Sequence, residues 1–372
     1  MDFRDIAAPR ARAALLHVAA LSEGPALDPG PRITLNFHPD RLVRWLPILR
    51  ALAEDGVYHS QFVTGTSNGG LTAHPGGDRQ RWESRIFGGA YDDAAAAERP
   101  VYGALNFRRQ VVGAAPRFGS SHFRLTGAVL ARTTFCYPDS AAEPGDFGVA
   151  ARMSLVALAE ADHQDALNDY IEAQVHAGVV LDRDVEALVL DASYRGTSVE
   201  TAARLLPCPV EWHPGYRLTV ADLYRHADYR GREYVDLGAR IAEDGRIDPR
   251  IIGDAARTGR HELQDLKMVW HTLARFGAPE GAGTACFREV ADGAATVAAG
   301  GAVTVAADGA AREAADTACS REAVGSSAMV AVPSPDTALS SETADSSDSA
   351  LSSGAAYSPG AAYSSGAVAS EE

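Results

Sequence analysis

The sequence predicts an α+β fold: a core of short, mostly antiparallel strands, flanking helices, a helical C-terminal part and then a disordered tail. Three observations carry this. Short runs rich in β-branched and aromatic residues recur along the chain, as in Arg32–Phe37 and Ala131–Tyr137. Other segments place apolar residues at helical spacing, as Leu42, Leu46, Leu49 and Leu52 do. After residue 277 the composition narrows to alanine, serine, glycine and acid.

Taken in order, residues 4–22 read as a helix with Ile6, Ala13, Leu16 and Ala20 on one side, broken by Pro25, Pro29, Gly30 and Pro31. Arg32–Phe37 is a strand ended by His38-Pro39-Asp40. Residues 41–54 form a helix with Asp40 as N-cap and a distortion at Pro47. Tyr58–Ala90 is too dense in glycine for ordinary helix or strand interior. Tyr102–Phe107 is a short strand or a helical turn. Phe118–Leu125 and Ala131–Tyr137 are strands, 149–160 a helix, and Asp169–Val175 and Val185–Leu190 two further strands. Ser198–Leu206 is a helix and Pro209–Trp212 a short strand. From Thr219 the pattern is helical and closes with His261–Phe276. The expected organisation is one α+β domain over 1–277, with 219–276 as a helical subdomain, and a tail over 278–372 in which Gly354-Ala-Ala-Tyr-Ser is echoed from Gly360.

Of the 49 acidic and 34 basic residues, 13 acidic and 3 basic ones follow residue 277, so the tail carries −10 of the net −15. The body is only mildly acidic and has no overall field to attract nucleic acid or anionic lipid. Lys267 is the only lysine; every other basic residue is arginine. The 4 cysteines, Cys136, Cys208, Cys286 and Cys319, have no zinc-ligand spacing and form no disulfide framework. No metal site is expected. Residues 1–20 interrupt short apolar runs with Asp2, Arg4, Asp5, Arg10 and Arg12, unlike a secretory leader, and no apolar run approaches the ~20 residues of a membrane helix. The expected location is cytoplasmic, with no membrane association.

Chemistry concentrates in two segments. On a strand over Tyr170–His176, one face carries Tyr170, Glu172, Gln174 and His176, the other Ile171, Ala173 and Val175. That alternation describes either a row of catalytic side chains or a solvent-facing edge strand. Glu172 and His176 lie roughly 13 Å apart by strand rise, too far to act directly as an acid–base pair. The second segment is Thr64-Gly65-Thr66-Ser67-Asn68-Gly69-Gly70, where glycine lets backbone amides approach a ligand and the hydroxyls and amide add donors and acceptors. It has neither Walker nor dinucleotide-fingerprint spacing, and the alternative is a surface turn. His38 and Arg41, at the end of the first strand, are suited to holding a ribose or phosphate. Arg79, Arg81 and Arg85 read as the solvated side of a helix.

Ser60–Arg79, Phe87-Gly-Gly-Ala-Tyr91, Tyr102-Gly-Ala-Leu-Asn106 and Glu172-Ala-Gln-Val-His176 resemble a bacterial family known as domain of unknown function 3626, over roughly residues 30–277. That resemblance implies no activity. The chain also resembles ADP-ribosyltransferases, which carry an Arg or His on a first strand, a Ser/Thr or Tyr motif on a second and a glutamate on a later one. This second resemblance implies an NAD-cleaving transferase or glycohydrolase, with NAD as substrate and a protein or small molecule as acceptor. Glu172 and Gln174 would then be catalytic, and His38, Arg41, Thr64, Gly65, Thr66, Ser67 and Asn68 would bind NAD. The chain departs from that pattern: the catalytic glutamate is normally second in its triplet, where Gln174 stands here. Glu172 would act from the first position, or Glu186 on the next strand would serve instead. The reading from another class is a non-catalytic module that grips a nucleotide or a protein through residues 58–90.

Overall fold

The computed structural model describes residues 3, 6–43, 45–65, 72–279 and 287–288. Thr66, Ser67 and Asn68, and nearly all of the predicted tail, lie outside the described residues. Those that are described belong to one compact unit.

A 9-stranded sheet organises it. In chain order the strands are β1 (Ile33–Phe37), β2 (Val101–Leu105), β3 (Ser121–Leu125), β4 (Thr133–Tyr137), β5 (Asp146–Val149), β6 (Ile171–Val175), β7 (Val185–Asp191), β8 (Val210–His213) and β9 (Phe287–Arg288). Across the sheet the order is β9-β8-β7-β3-β1-β2-β6-β4-β5, antiparallel throughout except for the β7–β8 pair. The α+β expectation is met. β9 shows that the chain past residue 277 is not wholly tail: it pairs Arg288 with Glu211 and Phe287 with Trp212. An open edge such as β8's takes a partner through backbone groups, whatever the side-chain composition of the added segment.

One sheet face is apolar. Ile33, Leu35, Phe37, Phe123, Ile171, Ala173 and Val175 pack there with Leu49 and Leu52 of α2 (Ile48–Asp55), Leu155 and Ala159 of α4 (Leu155–Ala161) and Val199 of α5 (Ser198–Ala203). The other face is polar, with Thr34, Asn36, His122, Glu172 and Gln174 on it. It is nonetheless buried. Helices α1 (Pro9–Leu21) and α3 (Asp78–Ile86) pack around Cys136 and Val149 at one end. At the other end stand α6 (Val220–Arg225), α7 (Arg232–Ile241), α8 (Pro249–Arg257) and α9 (Leu263–Phe276), which form a second apolar cluster with Val111, Val112 and Tyr216.

Two boundaries differ from expectation for backbone reasons. The helix predicted over 41–54 starts only at Ile48, because Pro47 disfavours helical geometry in the residue before it; Leu42–Val43 and Leu46–Pro47 pair as a small hairpin instead. Asp40 therefore caps nothing and is buried, 3.6 Å from Arg257 Nη1. The helix predicted over 149–160 is shortened to α4, because residues 146–149 extend the sheet as β5. No helix among the described residues is long and apolar enough to cross a membrane.

Candidate functional site

β6 is an interior strand, paired to β2 on one side and β4 on the other. The alternation over Tyr170–His176 therefore does not mark a solvent-facing edge: all five strand residues are buried. Its polar side chains face a cleft and the packing behind it.

That cleft, of about 600 Å3, opens where β1 and β2 part. Their register runs Ile33–Leu105 and Thr34–Ala104 and goes no further. Beyond it, Asn36 and Phe37 line one wall and Val101–Gly103 the other. The cleft gathers His38 and Arg41 from the end of β1, Thr64 from the single turn Gln61–Thr64, Arg79 from α3, Arg117 from the turn Pro116–Phe118, Asp139 and Ser140 from the loop after β4, Glu172 from β6 and Lys267 from α9. Four sequence-predicted residues, His38, Arg41, Thr64 and Glu172, thus share one cavity.

Glu172 is 7% exposed. Its Oε2 accepts from the Ser140 backbone N–H at 3.2 Å and from Ser140 Oγ at 2.9 Å, and its Oε1 accepts from Gln174 Nε2 at 3.1 Å. Arg79 Nη1 lies 3.9 Å from Oε1 and donates to Ser140 Oγ at 2.7 Å. Burial pushes the Glu172 carboxyl above its ordinary pKa; Arg79 and the Ser140 bonds act in the opposite direction, and Asp139 adds to the rise. The site thus holds a buried carboxylate through several charge-assisted contacts.

Arg79 is 3% exposed, and its guanidinium sits over the Tyr102 ring at 4.1 Å. Its Nε has no hydrogen-bond partner. The Tyr102 hydroxyl donates to Glu83 Oε1 at 2.8 Å, and Glu83 pairs with Arg99 at 2.6 Å, so α3 is tied to β2 through its buried Glu83. The expectation of a solvated arginine face holds for Arg81 and Arg85 but fails for Arg79. One residue of a helix turns inward while its neighbours stay out, a choice set by what α3 packs on rather than by arginine itself.

Gln174 does not reach the cleft. It is 1% exposed, donating to Glu172 and to Cys136 Sγ while accepting from Thr134 Oγ1 at 2.9 Å. It holds Glu172 from behind and does not itself line the cavity. His176 lies deeper still. Tyr91 Oη meets its Nδ1 at 2.8 Å and Thr134 Oγ1 its Nε2 at 3.0 Å, and burial pushes its pKa down to about 3, with Arg132 adding to the effect. Glu186 faces elsewhere, paired with Arg32 at 3.1 Å and Arg124 at 3.2 Å, so of the two carboxylates considered only Glu172 lines the cleft. Gly65 does not line it either: in left-handed geometry (φ 64°) it ends the Gln61–Thr64 turn.

His38 packs edge-on against Trp270, ring centres 5.0 Å apart. Burial, with Arg41 and His271 adding to it, pushes its pKa down to about 3, so at neutral pH it is a neutral hydrogen-bonding group and not a cation. Arg79, Tyr102, Arg117, Ser140 and Lys267 were missed as site residues. Lys267 carried the one available signal, as the single lysine among so many arginines.

A family model described as protein of unknown function (DUF3626) matches residues 32–160 and 149–276, which together span β1 to α9 and every cleft residue named above. No curated protein matches the chain.

Proposed function

For a chain that belongs to the DUF3626 family, whose description assigns no activity, we propose from the cleft alone an NAD-cleaving enzyme, a glycohydrolase or an ADP-ribosyltransferase, with Glu172 as its central carboxylate. The observation that supports this reading is the meeting of His38, Arg41 and Thr64 in one cavity with Glu172, which lies more than a hundred residues further along the sequence. The cavity volume falls within the range of small-molecule sites.

The chemistry suits these groups. When the bond between nicotinamide and ribose breaks, its electron pair leaves with the ring, which becomes neutral nicotinamide, and positive charge develops on the sugar. An ionised Glu172 stabilises that charge in a poorly hydrated site. Ser140, Gln174 and Arg79 hold the carboxylate in place before substrate arrives. Neutral His38 and Thr64 offer hydrogen bonds to ribose hydroxyls or the carboxamide, and Arg41 offers charge to a phosphate. Water, or the hydroxyl, amine or guanidine of an acceptor, then attacks the sugar carbon and loses its proton.

The test is nicotinamide release by the purified full chain incubated with NAD, with Glu172→Gln as control. Release by the native protein and at least a hundredfold less by the variant, both with native melting behaviour, supports the reading. Equal rates would remove Glu172 from the reaction.

A second reading, a binding module without turnover, is favoured by one observation: both Glu172 oxygens are already engaged by Ser140 and Gln174. It predicts thermal stabilisation by a nucleotide with no product formed.

A further inference from the structure

Water that attacks the sugar carbon must give up a proton, and Glu172 is badly placed to take it. Both of its oxygens already accept hydrogen bonds, and Arg79 stands 3.9 Å from Oε1. Two other carboxylates line the cleft, Asp55 and Asp139. Asp55 ends α2 and pairs with His59 at 3.0 Å. Asp139 stands beside Glu172, on three observations. It directly precedes Ser140, whose N–H and hydroxyl donate to Glu172 Oε2 at 3.2 and 2.9 Å. Its Oδ2 accepts from the Tyr170 hydroxyl, and Tyr170, two residues before Glu172, shares the alternation of β6 with it. Its charge also acts on the Glu172 carboxyl.

Asp139 is held as an oriented base is held. Oδ1 accepts from the Ala141 N–H at 3.1 Å, and Oδ2 from Tyr170. Both donors are neutral. Burial, with the charges of Asp139 and Glu172 adding to it, pushes the Tyr170 phenol well above its ordinary pKa, so it remains a donor. A carboxylate has about four acceptor sites, which leaves room for a water or a hydroxyl. Asp139 is half-buried, whereas Glu172 and Ser140 are buried. A cap on the turn Ser140–Ala142 accounts for the Ala141 bond, but not for a buried tyrosine that reaches from beside β6 to the same carboxylate. Two carboxylates in unlike surroundings suit two roles: one, beside a guanidinium, faces developing positive charge, and the other, fixed and open to solvent, takes a proton.

We propose that Asp139 is the general base of the reaction in this cleft and that Tyr170 positions it. Nicotinamide leaves with the electron pair of its bond to ribose. The water oxygen forms the new bond to the sugar carbon, one water proton passes to an Asp139 oxygen, and that proton is then lost to solvent. This rests on the reading of the cleft as an NAD-cleaving site.

The experiment follows nicotinamide release from NAD by the full chain, with and without azide, an anionic nucleophile that has no proton to lose. Asp139→Asn keeps an acceptor for Tyr170 and Ala141 but is no base, so its kcat in water falls about a hundredfold or more while KM stays within about threefold. Asp139→Ala, which opens space for azide, is as slow in water; azide restores its rate at least tenfold, and ADP-ribosyl azide is found by mass. Should both variants fail to fold, Tyr170→Phe leaves Asp139 present but loosely held, and its kcat falls about tenfold with KM unchanged; a native kcat there overturns the assignment. A role confined to holding the Ser140 turn predicts an active Asp139→Asn protein. Undiminished release by that variant, or slow variants that azide leaves slow, therefore removes Asp139 as the base and leaves the NAD reading standing. No release by the native protein, with water or with azide, removes both.

Discussion

Replacing Ser140 with alanine removes a single oxygen atom that two charged groups share. That hydroxyl accepts from Arg79 Nη1 at 2.7 Å and donates to Glu172 Oε2 at 2.9 Å, while the backbone N–H, which alanine keeps, donates to the same carboxylate oxygen at 3.2 Å. Hydrogen bonds to charged groups contribute roughly 1.5–3 kcal/mol each. Two that share an atom do not add fully, so the expected loss at neutral pH is about 3 kcal/mol. In a domain of this size that lowers Tm by about 6–10 °C. The loss should also depend on pH. The folded-state pKa of Glu172 is raised, chiefly by burial. Glu172 therefore stabilises the fold below its unfolded pKa, and this contribution is lost as pH rises through the folded pKa. Removing the hydroxyl raises the folded pKa further. The gap between native and Ser140→Ala stability is thus widest where Glu172 is ionised and narrows on acidification to the share owed to Arg79. Urea unfolding at pH 4, 5.5 and 7.5 measures it. A loss below about 1 kcal/mol at pH 7.5, or one of equal size at all three pH values, would refute the assignment of this hydroxyl as a carboxylate ligand.

Two further outcomes follow from the packing around the cleft. A Cβ added at Gly119 would stand 2.0 Å from the Phe37 carbonyl carbon and 2.2 Å from its oxygen, both backbone atoms. Gly119→Ala should therefore cost more than about 3 kcal/mol or abolish soluble expression, and a native Tm would show that the β1 end can shift. Trp45, at the tip of the Leu42–Pro47 hairpin, is 93% exposed, whereas Trp82, Trp212 and Trp270 are buried. Iodide should quench a single red-shifted emission component, which Trp45→Phe eliminates; unchanged quenching in that variant would mean that another tryptophan is open to solvent.

The sequence by itself determined the fold class and most of the strands, and offered Glu172 and Glu186 as candidate carboxylates. Strand and helix periodicities are local properties, and Glu172 stood out because a strand that carries acid, amide and imidazole on one face has few explanations. Only the tertiary structure decided what that polar face meets. Glu172 and Gln174 sit two residues apart with the same outlook in sequence, yet one lines a cavity and the other packs behind it, since the path of Ser140 and Thr134 past β6 is set by strand order. Arg79 and Lys267 were invisible as partners of the site for the same reason: each lies on a helix whose amphipathic pattern says which face is inward, while what waits on that inward side is fixed by contacts distant in sequence. Periodicity encodes burial, but the meeting of charges across a cleft depends on how separate elements dock.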